Sequence, residues 1–179
     1  MKKFFNVVAL AAILVSLNSC GTTAPVIRGT YAPVNAATSE LEYEKVWEKV
    51  IDFFAENSIP VGVLDKTSGL ISAKEIKFDN DLVTYEDVNG KMVNPNAWFV
   101  VSYGKNVVGA RADCSFNIRV KKLDEGGTSI QINLSNIVGY YDVEWYNIEW
   151  LRKEIAKTTY PRECRSTGKF EEALLNYLK

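Results

Sequence analysis

The sequence predicts an α+β two-layer sandwich, an antiparallel sheet with an N-terminal and a C-terminal helix packed on one face. Three observations predict it. Apolar residues recur at helical spacing from Tyr43 to Phe54 and again from Phe170 to Leu178. Between those stretches, residues 110–121 and 130–135 alternate apolar and polar with period two. Two apolar helix stripes need a sheet face to cover, and the alternating strands supply one. The 179 residues suit one folded body with appendages, and 47% hydrophobic with 24% charged residues is the mix of a globular chain.

The chain opens on an address. Met1-Lys2-Lys3 is a short positive start, and Val7 to Val15 runs without a polar residue. This is the n-region and h-region pattern of a secretory signal, and the run is too short for a bilayer-spanning helix, which needs about 20 residues. Leu17-Asn18-Ser19-Cys20 follows, and then Gly21. These residues resemble the lipobox of bacterial lipoproteins. The resemblance implies a signal peptide over residues 1–19, cleavage before Cys20, and acyl chains such as palmitate on that cysteine. At about 0.8 kcal/mol per buried methylene, two or three chains anchor stably. Loss of Lys2 and Lys3 lowers the net charge of −1 by two, so the lipid and not the field of the body does the holding. In such lipoproteins an aspartate beside the lipidated cysteine favours inner-membrane retention, and an acidic cluster favours surface display. Gly21-Thr22-Thr23 is neither, which implies an outer-membrane site facing the periplasm.

Residues 20–37 read as the lipidated N-terminus and a tether, because Pro25 and Pro33 interrupt a stretch without helical period. Its seventeen residues after Cys20 span at most about 60 Å extended, or about 20–25 Å as a flexible coil. Pairing of Val26 to Tyr31 as an edge strand is the alternative. Residues 38–179 then form the single α+β domain.

Ser39 and Glu42 fit a capping box for the first helix, whose face is Tyr43, Val46, Trp47, Val50, Phe53 and Phe54. Asn57-Ser58 and Pro60 end it. Val61 to Leu64 and Leu70 to Phe78 read as strands around the turn Asp65-Lys66-Thr67-Ser68-Gly69. Residues 79–96 are polar and form a small hairpin or an excursion around Asn89-Gly90. Asp79-Asn80-Asp81 is a turn, since the glycine and closing glutamate of a calcium loop are missing. Ala97 to Tyr103 is a further strand. Ala110, Ala112, Cys114, Phe116, Ile118 and Val120 alternate with polar residues, and Asp124-Glu125-Gly126-Gly127 turns the chain into Ile130, Ile132 and Leu134. Ser166 or Thr167 caps the last helix, with Phe170, Ala173, Leu174, Tyr177 and Leu178 on its face.

With Cys20 lipidated, Cys114 and Cys164 remain. An even pair in an exported domain points to a disulfide, worth about 4 kcal/mol for a loop of about 50 residues. The alternative is two buried free thiols packing as small apolar groups.

Histidine is absent, which removes Ser-His-Asp and Cys-His nucleophile systems and imidazole metal sites. No phosphate-cradling glycine loop is present, and the near-neutral charge gives no field for nucleic acid. No catalytic residue, metal site or cofactor is therefore expected. The candidate partner-binding residues are Tyr140, Tyr141, Trp145, Tyr146 and Trp150, interleaved with Asp142, Glu144 and Glu149. Aromatic side chains with polar tips are enriched at recognition surfaces and also stack on sugars. The competing role is packing over the end of the sheet, or a helix beginning near Asp142 with Trp145 and Glu149 one turn apart.

The Trp47-bearing helix, the short strand, Asp65-Lys66-Thr67-Ser68-Gly69 and Leu70-Ile71-Ser72 resemble the small α+β domains of periplasmic lipoproteins of the BamC type, accessory subunits of outer-membrane barrel assembly. The resemblance spans residues 46–72 and implies a non-enzymatic accessory role. The expected function is a lipid-anchored, periplasm-facing binding or scaffolding module with an envelope protein partner. A surface-exposed glycan- or ligand-binding lipoprotein is the alternative, and a hydrolase using carboxylates alone is a third reading that needs a concave site with paired acids.

Overall fold

A computed structural model describes residues 26–102, 104, 107–149 and 152–179, and the side chains of these except at 80, 144–149, 152–158 and 160. The fold is mixed α+β. Strand β1 (Ala36–Ser39) leads into helix α1 (Tyr43–Glu56), β2 (Val63–Asp65) and β3 (Leu70–Phe78). A 3-10 turn at Asn80–Leu82 precedes β4 (Val83–Tyr85) and β5 (Phe99–Val101). The long strands β6 (Val107–Lys122) and β7 (Thr128–Glu149) follow, then β8 (Arg152–Arg162), β9 (Cys164–Ser166) and helix α2 (Lys169–Tyr177).

Among the described residues the strands form two sheets. The larger has the order β1-β7-β6-β3-β2, with β8 also paired to β7, and every pair in it is antiparallel. The smaller has the order β4-β5-β9, and its β4–β5 pair is parallel. That second sheet departs from the single antiparallel sheet expected. Its strands are three residues each, too short to leave a periodic signature in the sequence.

The alternation in β6 does what period two predicts. Ala112, Phe116, Ile118 and Val120 are buried, whereas Arg111, Asn117, Arg119 and Lys121 are exposed. The ladder is irregular around Cys114. β3 shifts register between Ala73 and Ile76, and β7 carries Asn136 and Ile137 unpaired between Ser135 and Val138. Bulges bend strands and raise their twist, so the large sheet turns at the level of Cys114. On β7 beyond that bend, a Cβ at Gly139 would stand 2.7 Å from Cys164 Cβ and 2.9 Å from Val101 Cγ2. Glycine there lets β5 and β9 close onto β7.

Helix α1 buries Val46, Trp47, Val50, Phe53 and Phe54, the face expected. Phe54 stacks on Phe116 of β6 at 4.8 Å between ring centres, nearly parallel, and Phe170 of α2 lies 6.4 Å from the same ring. Phe53 meets Phe170 and Tyr177 edge-on, which joins the two helices. Trp98 and Phe78 extend the cluster toward β5.

Three local expectations give way to the structure. The capping box does not form: Ser39 closes β1, its hydroxyl donates to the Leu178 carbonyl and accepts from the Leu41 amide, and Glu42 flanks α1 without a side-chain cap. Gly168, at φ +88°, flanks α2, while Ser166 and Thr167 hydroxyls accept from the Gly168 and Lys169 amides just ahead of the helix. The tether boundary at residue 37 falls inside β1, which pairs with β7 from Ala36↔Gln131 to Ser39↔Thr128. The Asp65–Gly69 turn forms as expected, with Asp65 Oδ1 accepting from the Thr67 and Ser68 amides at 3.0 and 3.2 Å and the Ser68 hydroxyl donating to Oδ2.

The stacked Phe54–Phe116 pair sits at 1% exposure on both sides. Phe54→Ala should cost about 3–5 kcal/mol in urea denaturation, in the range for a fully buried ring.

Candidate functional site

The aromatic segment is a strand throughout its described part, not a helix from Asp142. β7 pairs with β8 from Gly139↔Arg162 to Glu149↔Arg152. Its pairing with β6 ends at Val107↔Val143. Among the described residues, the six pairs from Glu144↔Lys157 to Glu149↔Arg152 therefore continue as a two-stranded ribbon, about 20 Å long at strand rise. Trp145 stands opposite Ala156, and Tyr146 opposite Ile155. Trp150 lies outside the described residues, as does Cys20.

The root of the ribbon is built from polar fastenings. Tyr141 is only 5% exposed, and Arg162 donates from Nε to its hydroxyl at 2.7 Å while the guanidinium lies 4.7 Å from the ring centre. Tyr141 thus holds the root in place of offering a contact surface. Tyr140, beside it, is half-buried. Asp142 is buried, and its Oδ1 accepts from the Thr159 hydroxyl at 2.7 Å and from Arg111 Nη2 at 3.4 Å. Thr159 is the register partner of Asp142, so this bond is a cross-strand rung.

Asp142 and Arg111 also line a cleft of ≈ 490 Å³ between β6–β7 and the segment from Asp79 to Asn94. Asp79 and Asp81 face it from the other wall, with Thr84, Tyr85 and Asn94. The cleft joins three carboxylates, one guanidinium, a phenol and an amide. Such a wall offers hydrogen bonds to hydroxyl-bearing or cationic ligands. The local signal was the turn sequence Asp79-Asn80-Asp81; nothing local placed it opposite Asp142. No group of three or more histidine, cysteine, aspartate or glutamate side chains is arranged to hold a metal among the described residues. No helix among them is long and apolar enough to cross a membrane.

The expected Cys114–Cys164 disulfide is not formed. Both residues are free thiols within the hydrophobic cluster, 1% and 8% exposed. They pack there as small apolar groups. Burial pushes both thiols up to about 12, with Glu171 and Asp113 adding to the shift at Cys114 and the Cys114 sulfur adding to it at Cys164. Glu171 is itself buried. Both of its oxygens accept from the Ser166 hydroxyl, at 2.9 and 2.8 Å, and desolvation raises its carboxyl above the ordinary range. Glu171 carries no local signal in the sequence, because its partner Ser166 lies ahead of the helix and its burial depends on the sheet.

No protein-family model matches this chain, and no curated protein or solved structure is detectably similar to it.

Two predictions follow from the buried acid and thiols. A group whose folded pKa is raised favours the folded state when protonated, and its ionised form opposes folding as pH climbs past the unfolded value. Glu171→Gln should therefore raise the melting temperature at pH 8, with the gain shrinking as pH falls toward 4.5, the ordinary value of this carboxyl. Thermal melts across that interval measure it; a pH-independent difference would exclude the ionisation as the cause. At pH 8 a thiol reagent should label neither Cys114 nor Cys164 in the native protein, and both after unfolding in guanidinium.

Proposed function

We propose that this protein is a lipid-anchored lipoprotein, acylated at Cys20 and facing the periplasm from the outer membrane, that acts as a non-enzymatic binding or scaffolding module for an envelope protein. The observation that carries the binding role is the β7–β8 ladder running, among the described residues, six residue pairs past the last pairing of β7 with β6. A two-stranded ribbon is marginal in water unless something packs on it. This one has Trp145 and Tyr146 at consecutive positions. In its register Glu144 stands opposite Lys157 and Glu149 opposite Arg152. Aromatic residues supply contact area at little entropic cost, so a protein surface is the natural complement. The anchor rests on the signal-like first nineteen residues and on Leu17-Asn18-Ser19-Cys20.

Within the same reading, α1 and α2 form one layer on a single face of the large sheet. The Phe54–Phe116 and Phe116–Phe170 ring contacts support that arrangement.

A second reading, a surface-exposed glycan- or ligand-binding lipoprotein, draws on the cleft between Asp79, Tyr85, Asn94, Arg111 and Asp142. Protease treatment of intact cells separates the two: a protected chain favours the periplasmic scaffold, and cleavage favours the surface binder.

The anchor predicts a diacylglyceryl thioether on Cys20 by mass spectrometry of the mature N-terminal fragment, and partition into the detergent phase that Cys20→Ala abolishes. Crosslinking in intact cells followed by purification should recover an envelope protein. Trp145→Ala combined with Tyr146→Ala should reduce that recovery at least tenfold while the circular dichroism spectrum and melting temperature of the body hold. Undiminished recovery from the double variant removes the ribbon from the proposal.

A further inference from the structure

Residues 26–31 were expected to belong to a loose tether, yet they are fastened to the body. Ile27 is buried, and its amide donates to Glu163 Oε2 at 3.1 Å. The amides of Arg28 and Gly29 both donate to the Glu86 carboxylate at 2.7 Å, one to each oxygen, and the Tyr31 hydroxyl donates to it at 2.9 Å. Arg28 also reaches across to the Val88 carbonyl. Glu86 is fully buried, and its own amide donates to Val101 of β5, which seats the carboxylate on the small sheet. Charge-assisted bonds from two successive backbone amides and a phenol satisfy an acid that burial would otherwise penalise. The fit requires glycine at 29, where a Cβ would lie 2.5 Å from Tyr31 Oη and 2.8 Å from Glu86 Oε1. Burial and Glu86 together push the Tyr31 phenol up to about 12, so this donor keeps its proton throughout the neutral range.

We propose that Glu86 and Glu163 form a clamp on residues 27–31 that fixes which end of the body faces the lipid surface. The inference rests on acylation at Cys20. Without the clamp, the seventeen residues after Cys20 allow a reach of about 60 Å; with it, the seven steps from Cys20 to Ile27 allow about 25 Å. The end of the body carrying the Asp87–Gly90 turn and Glu163 is then the membrane-proximal end. β8 leads away from Glu163, from Arg162 to Arg152, eleven residues or about 37 Å of strand. The clamp therefore shortens the reach between the anchor point and the root of the ribbon, so the ribbon meets a partner within a bounded zone relative to the membrane.

Vesicles of phosphatidylethanolamine and phosphatidylglycerol carrying a headgroup quencher test the orientation. The lipidated protein is labelled with a fluorophore at Asn89→Cys or at Lys153→Cys. Quenching several-fold stronger at position 89 than at position 153 is expected, and Glu86→Ala with Glu163→Ala should level the two. Equal quenching in the otherwise unaltered protein, with the protein bound to vesicles, overturns the clamp's orienting role. Failure to bind vesicles at all overturns the anchor reading and this inference with it. Amide exchange on the mature chain carrying Cys20→Ser tests the clamp apart from lipid. Arg28 and Gly29 amides should exchange slowly, and at least a hundredfold faster in Glu86→Ala or in Gly29→Val, with β6–β7 amides unchanged. Fast exchange of both in the chain without those two substitutions sinks the clamp whatever the state of the anchor.

Discussion

The antiparallel pairing of β6 with β7 is the constraint from which the rest of the molecule follows. It runs from Lys122↔Thr128 to Val107↔Val143 and crosses the whole body. On one side of it β3 continues the large sheet; on the other β7 receives β1 along its first residues and β8 along its last. One buried face lines up Ala112, Phe116, Ile118 and Val120, and Phe116 is where both helices arrive. The irregularity at Cys114 divides this long ladder. Phe54 and Phe170 meet Phe116, and Phe170 also reaches Phe78; beyond the bend Gly139 admits β5 and β9. A straight ladder of the same length would leave one of these layers without a surface to cover.

The parts of the fold legible in the sequence are those whose signal is local and repeats. The α1 stripe, the β6 alternation and the Asp65–Gly69 turn each rest on several residues within one short window, and each forms. The parts not legible are decided by partners distant in sequence. β8 reads Arg-Lys-Glu-Ile-Ala-Lys-Thr-Thr-Tyr-Pro-Arg, with no clean period; it is a strand because β7 offers it a register. The stretch from Asp142 fits a helical spacing of Trp145 and Glu149 as well as a strand, and the pairing edge of β7 decides for strand. Of the candidate site, its position on the chain was readable from its aromatic residues. That Tyr141 would be buried under Arg162, or that Asp142 would face Asp79 across a cleft, depends on contacts between residues up to 63 apart in sequence. Glu86 was invisible for the same reason, since its three donors lie 55 to 58 residues earlier.

A common use of acids connects these sites. Glu86 fastens the strap formed by residues 27–31, Asp142 fastens a cross-strand rung, Glu171 fastens Ser166 ahead of α2, and Asp65 closes a turn. In each case the acceptor is an ionisable oxygen, and in each the principal donors are neutral amides or hydroxyls from this same chain. Bonds to an ionised carboxylate are stronger than neutral ones and fix geometry where irregular backbone crosses the body, while at Glu171 desolvation opposes that gain. Carboxylates spent on holding the chain together are poorly disposed to act as general acids or bases, since their lone pairs are already committed.

The consecutive residues Arg162, Glu163, Cys164 and Arg165 draw the separate features into one mechanical unit. Arg162 holds the ribbon through Tyr141, Glu163 holds the strap through Ile27, and Cys164 is buried against Gly139. Arg165 donates from Nε and Nη2 to Glu163 Oε1, at 3.0 and 2.7 Å, leaving Oε2 for the strap amide. β8 and β9 are separated by Glu163 alone, so no flexible connection intervenes between ribbon root and strap. The N-terminal strap joins this segment through the Ile27 amide, and α2 follows it directly after β9.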